Sequence, residues 1–292
     1  MNIHKGFSLI ELAIVLVIVT ILIGGLAVPL SAQVEARRIA ETRKTMEEAR
    51  EAIIGYAMSH PIVKPCTCQY QSTTPFGFIN SNCPTSVSVY CPANSSTSPI
   101  ALSYTGHYLP CPDLSGSDPE PAVDNDGVDG KIDINNGVED RLATTGACAT
   151  TSGNLPWVTL GTASQDAWGN RLYYAVTPGY GDPAIGFSNT SVGDKQICST
   201  SVGGCAIGTV ARDVPVVVIS YGPNGWGARN VNNTTMAMPT SADELENVDL
   251  NNAFVTRSPT KPGSSTGEFD DLVVWISSPL LFSRVCAAGG CP

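Results

Sequence analysis

Catalytic equipment is scarce in this chain. Only three of its 292 residues are histidine, namely His4, His60 and His107, and there is no G-x-S-x-G elbow, P-loop or H-E-x-x-H run. These absences argue against an enzyme. His107, beside Tyr108 and before Pro110-Cys111-Pro112, reads as structural rather than as a base. Charge is also thin, at 14% of residues with a net of -10. Residues 1–51 hold six basic and six acidic side chains, which leaves 10 basic and 20 acidic for the rest. No basic face is left to grip phosphates, and no nucleic-acid partner is expected.

What the chain does have is one long apolar run, residues 7–30. Its 24 residues reach roughly 36 Å as a helix, enough to cross a bilayer core. The tail of residues 1–6 carries Lys5 and no acid, which places it in the cytoplasm by the positive-inside rule. Glu11 lies inside the run. A lone acid there costs about 2.5 to 3.5 kcal/mol on insertion scales, so it needs a partner or a job. Gly24, Gly25 and Pro29 each weaken a helix and predict a bend or loosened turn. From 31 to 60 the pattern turns amphipathic, with Ile39, Met46, Ala49, Ile53 and Ala57 on one stripe, until Pro61 and Pro65 end it.

The remainder, 61–292, reads as one extracytoplasmic β-rich domain. Residues 65–105, rich in Ser, Thr, Pro, Asn and Cys, predict an irregular, disulfide-tied excursion. Runs of β-branched and aromatic residues predict strands at 171–176, 214–220 and 271–276. The expected architecture is α+β, with a long N-terminal helix, transmembrane and then amphipathic, packed on an antiparallel sheet with long disulfide-tied loops. Ten cysteines suit an oxidising compartment. Neighbour order suggests Cys111 with Cys148, Cys198 with Cys205, Cys286 with Cys291, and Cys66 and Cys68 crossing to Cys83 and Cys91. A zinc site from the last four is the alternative, although C-x-C spacing departs from the usual pairs.

Gly6-Phe7-Ser8-Leu9-Ile10-Glu11, after a basic tail and before a spanning apolar run, resembles the processing signal of type IV prepilins and of type II secretion pseudopilins. The resemblance implies cleavage between Gly6 and Phe7 by a membrane prepilin peptidase and N-methylation of Phe7. It also implies assembly of the helix, through Glu11, with other pilin or pseudopilin subunits on an inner-membrane platform. A secretory signal peptide fits less well, because its apolar region is shorter and its cleavage site follows that region. Asp166-Ala167-Trp168-Gly169-Asn170, Tyr173-Tyr174, Pro178-Gly179, Ser220-Tyr221-Gly222-Pro223-Asn224-Gly225, Asp270-Asp271 and Trp275 resemble, in that order, the globular domain of the major pseudopilin. The present chain is much longer and adds the cysteine-rich and acidic segments. The implied protein is a single-pass inner-membrane subunit with its C-terminal domain in the periplasm, carried into a filament or to the cell surface. A pilin-anchored adhesin or tip module is the alternative.

Two stretches suit calcium. Asp124, Asp126, Asp129 and Asp133, interleaved with glycines, supply the oxygens that a flexible calcium loop needs. They do not form an EF-hand, since Val128 occupies a ligand position, and a plain solvated acidic turn stays open. The resemblance to the major pseudopilin implies a second calcium loop between residues 224 and 271, with Asn224, Asp270 and Asp271 as its candidates. Adjacent residues at the start of a strand point to opposite faces, so at most one of Asp270 and Asp271 is expected to turn inward.

Overall fold

The computed structural model describes residues 8–70, 78–81, 99–114, 135–142 and 145–286, with side chains described for 8–22, 31–60, 106–114, 135–142 and 145–286. It begins with helix α1 (Leu9–Ser59). Ser8 caps this helix in an extended conformation: the N–H of Glu11 donates to Ser8 Oγ at 3.3 Å, and the N–H of Ser8 donates to Glu11 Oε2 at 2.9 Å. This reciprocal pair is a capping box. At the other end the N–H of His60 still reaches the carbonyl of Tyr56, and Pro61 follows, where a helix would need a further N–H donor.

A break in the helix does not occur at Gly24, Gly25 and Pro29, where a bend or loosened turn was expected: α1 runs through all three as one helix of 51 residues. Proline removes a single backbone hydrogen bond there. Long flanking helical segments, each propagating cheaply once nucleated, carry the helix across the defect. Among the described residues no helix is long and apolar enough to cross a membrane. Of the 7–30 run, side chains are described only for 8–22.

The second half of α1 is held by packing. Met46, Ala49, Ile53, Ile54 and Ala57 are each 1% exposed or less, and Ile39 is half-buried. Three strands follow, β1 (Pro61–Tyr70), β2 (Phe78–Ser81) and β3 (Pro99–His107), in an antiparallel sheet of order β2-β1-β3. Of the stretch 65–105, expected to be irregular, residues 65–70, 78–81 and 99–105 lie on these strands, and the others lie outside the described residues. Pairing of the β1 and β3 backbones supplies the hydrogen bonds, so these strands do not depend on an apolar alternation that the sequence lacks.

The chain then forms β4 (Ser152–Asn154), α2 (Trp157–Leu160), β5 (Tyr173–Val176), α3 (Pro178–Gly181), β6 (Lys195–Cys198), β7 (Thr209–Val214), β8 (Val216–Ser220), α4 (Ala242–Glu246), β9 (Ala253–Val255), β10 (Leu272–Ile276) and α5 (Ser278–Val285). The central sheet is antiparallel, in the order β10-β8-β5-β4. Strand β8 is buried throughout, and apolar up to Ser220, because it is covered on both faces. Val216 and Val218 join Ile53, Tyr174 and Leu281 under α1. Val217 and Ile219 pack on the other face with Ile197 and Phe254, from a third sheet of order β7-β6-β9.

That third sheet departs from the expected all-antiparallel arrangement, since β6 pairs parallel with β9. The long connection through β7, β8 and α4 gives the chain length that a parallel return requires. Among the described residues, Cys111 pairs with Cys148 and Cys198 with Cys205, their Cα atoms 5.1 and 5.5 Å apart.

Candidate functional site

Two regions present unusual chemistry, and the first is the start of α1. Every large apolar side chain from Leu9 to Leu22 is between 41% and 87% exposed. Thr20, the hydroxyl in this stretch, turns its Oγ1 back onto the carbonyls of Leu16 and Val17, at 2.9 and 2.8 Å. A hydroxyl satisfied within its own helix can enter apolar surroundings without a lost hydrogen bond. Gly6 and Phe7 lie outside the described residues. Glu11 is described, and its carboxylate is engaged by Ser8.

The second region is a cluster of carboxylates at the end of the central sheet. Glu244, on α4, is 1% exposed, and its Oε1 accepts from Asn224 Nδ2 at 3.2 Å and from the N–H of Asp270 at 3.1 Å. Asp270 Oδ2 accepts from the N–H of Asn224 at 3.2 Å. Asp271, 4% exposed, accepts from Asn247 Nδ2 at 2.8 Å. One carboxylate oxygen from each of Glu244, Asp270 and Asp271 lies within 4.8 Å of the others. Glu244 Oε2 and Asp270 Oδ1 are buried without a hydrogen-bond partner.

Burial, followed by the neighbouring acids Glu244, Glu268 and Glu35, pushes Asp270 up to about 7. Burial first, then Glu244 and Asp270, holds Asp271 well above the usual carboxylate range. Glu244 is also raised, chiefly by burial. Arg257 is committed elsewhere, with its Nε on Asp243 at 2.6 Å and Nη2 on the carbonyls of Thr266 and Gly267. Three converging carboxylates with two unpartnered buried oxygens suit a hard divalent cation, which would turn their repulsion into coordination.

The turn that frames this cluster depends on one glycine. Gly222 has φ +61°, and a Cβ there would run into the carbonyl and carboxylate of Asp270. Both expected acids face the cluster, because Asp270 and Asp271 precede β10 and side-chain alternation has not yet begun. Asn224 braces the site: its Nδ2 donates to Glu244, and its Oδ1 accepts from the N–H of Trp226 at 2.9 Å. Glu244 was not among the expected residues. Its signal was the acid pair Asp243-Glu244 after Ser241, a helix start that reads as solvated until the fold buries it.

Asp124, Asp126, Asp129 and Asp133 lie outside the described residues, as do Cys83, Cys91 and Cys291. Cys66 and Cys68 fall on β1, but their side chains are not described, so the zinc alternative also rests outside the described side chains. Cys286 is disulfide-bonded. His107 is buried with its Nδ1 2.8 Å from the carbonyl of Ala57, consistent with a structural part.

Comparison with known proteins speaks to the first region. Residues 1–27 match the prokaryotic N-terminal methylation motif. The motif supports a type IV pilin-like protein and makes the capped, exposed apolar helix its characteristic part. It covers residues 1–27, which include the start of α1, and says nothing of the globular domain. No curated protein and no solved structure matches the chain.

Proposed function

We propose that the chain is a structural subunit, a pseudopilin or minor pilin. It is cut between Gly6 and Phe7 by a prepilin peptidase, methylated at Phe7, and assembled by its N-terminal helix into a type II secretion pseudopilus or type IV pilus-like filament. The observation that carries this reading is the division of α1. Its second half is buried against the sheet, whereas the large apolar residues from Leu9 to Leu22 are exposed. Such a surface needs a bilayer before assembly and neighbouring helices after it. The 7–30 run is then the single span in the inner membrane, with residues 61–292 in the periplasm.

Within this reading, Glu244, Asp270 and Asp271 bind calcium, and Asn224 braces them. Calcium holds the 220–225 turn against α4 and the start of β10, and so sets the surface that a neighbouring subunit meets. The test is expression of the full chain with its assembly system, followed by imaging of the filaments. The subunit is expected to occur in them in a form shortened by the leader. An unprocessed chain absent from all filaments would refute the reading, while occupancy confined to filament ends would favour the tip-module alternative.

A further inference from the structure

Between three turns of the domain, 199–202, 240–243 and 265–267, lies a cleft of about 550 Å³ that also takes Arg257 into its wall. Neither the motif nor the filament role uses it, and the carboxylates of Glu244, Asp270 and Asp271 do not line it. Seven of its twelve lining residues are serine or threonine, so most of its polar side chains are hydroxyls, each able to donate and to accept. No lining residue belongs to a strand, which leaves a peptide no free sheet edge to pair with there.

One ion pair ties the three turns together. Asp243 Oδ1 accepts from the N–H and the Oγ of Ser201, each at 2.8 Å, and its Oδ2 accepts from Arg257 Nε at 2.6 Å. Arg257 Nη2 donates to the carbonyls of Thr266 and Gly267, at 3.0 and 3.3 Å. The Cys198–Cys205 disulfide closes the loop that carries residues 199–202. The cleft is therefore preformed, and the two charges in its lining are matched to each other rather than offered to an ion.

Its hydroxyls are not all used in this way. Ser241 is 7% exposed, and its Oγ is buried with no hydrogen-bond partner. Gly267 lies beside it, since a Cβ there would come within 2.9 Å of that oxygen. Thr240 and Ser265 add exposed hydroxyls to the same cleft. An unmatched buried hydroxyl is costly, and a ligand hydroxyl can both donate to it and accept from it. Between the hydroxyls the lining is apolar, made by threonine methyls, Val202 and Ala242. Hydroxyls alternating with C–H surface are what a sugar ring presents in return.

We propose that this cleft binds a neutral hexose ring, either as a free sugar or as a unit of a glycan. Ser241, Thr240 and Ser265 bond the sugar hydroxyls, and Val202 and Ala242 meet its C–H face. Asp243 and Arg257 hold the walls in place. The site depends neither on filament assembly nor on the calcium assigned to Glu244, Asp270 and Asp271.

The experiment is saturation-transfer NMR on the full chain in a detergent without a sugar headgroup, followed by calorimetric titration. The probes are glucose, galactose, mannose and N-acetylglucosamine, with maltotriose and triacetylchitotriose as chain forms. At least one probe is expected to bind, and Thr240→Phe, which fills the cleft from an exposed position, is expected to abolish that binding. Ser241→Ala breaks no hydrogen bond of the Ser241 hydroxyl, so the melting temperature should hold while affinity falls about two- to tenfold, the worth of one hydrogen bond. Tighter binding of a trisaccharide than of its monosaccharide assigns a glycan, and equal binding assigns a free sugar. If no probe binds, or if both variants bind as the wild type does, the proposal is overturned. Equal saturation transfer to the uncharged peptide N-acetyl-trialanine amide would mark a cleft for main-chain amides and would overturn it as well.

Discussion

The N–H of Asp270 donates to Oε1 of Glu244 at 3.1 Å, joining residues 26 apart in the chain. That bond brings the loop before β10 onto α4 and sets three carboxylates facing one another. Asn224 adds a second tie from the 220–225 turn. The backbone thus holds the acids together despite their repulsion, an arrangement that a bound cation stabilises.

Glu244→Gln removes one charge while keeping size and an acceptor. A cation at about a hundred times its Kd stabilises the folded state by about 2.7 kcal/mol. In a domain of this size that is worth roughly 5 to 11 °C in Tm. Scanning calorimetry of the wild type is expected to show such a rise with calcium and its reversal by chelator, and the variant should lose most of it. An equal rise in both would remove Glu244 from the ligand set.

The calcium effect should depend on pH in a definite direction. Asp270 is raised to about 7 when folded, well above an unfolded aspartate. Between about 4 and 7 the native chain without calcium therefore binds more protons at this position than the unfolded chain does. The Asp270 contribution to stability is complete below the unfolded value and is lost as pH rises through about 7. Calcium needs the ionised form, so its stabilising effect should grow over the same window. Paired melts at pH 5 and pH 8 measure this, and a larger calcium shift at pH 5 would contradict it.

Gly222→Ala places a Cβ against the Asp270 carbonyl at a positive φ. The left-handed conformation alone costs about 1 to 2 kcal/mol for a non-glycine residue. Denaturant unfolding should show at least that loss, together with a weakened calcium response. Unchanged stability would mean that the turn relaxes without disturbing the carboxylates.

Gly6→Val blocks the close backbone approach that a peptidase needs at the cut. The expected product is a full-length precursor retained in the membrane fraction, read by intact mass. A mature mass from this variant would contradict the processing site.

Glu11 has two separable tasks, cap and charge. Glu11→Gln keeps the capping box, which accepts Gln at this position, but removes the negative charge that would meet the amine of a neighbouring Phe7. Glu11→Leu removes both. If charge pairing sets the register, both variants should insert and be cleaved but enter filaments poorly, because an unpaired buried charge costs several kcal/mol. Normal filament occupancy of Glu11→Gln would leave Glu11 only its bond to Ser8.

Local chemistry made much of the chain legible. Ile53 and Ala57 repeat at helical spacing and are buried, and β-branched runs marked β5, β8 and β10 to within a few residues. The N-terminal methylation motif was readable because it is a contiguous run at the start of the chain. The β1-β2-β3 sheet was not legible, since backbone pairing rather than apolar alternation defines it. Continuity of α1 through Pro29 was also missed, because a local breaker was weighed without the cooperative helix on either side.

The sequence alone determined that an apolar, acid-bearing helix precedes a cysteine-rich domain, because hydropathy, motif and periodicity depend on neighbours in the chain. Only the tertiary structure decided that Glu244 joins Asp270 and Asp271 and that Asn224 braces them. Burial and the loss of hydrogen-bond partners turn ordinary surface acids into candidate ligands, and both arise from chain segments distant in sequence.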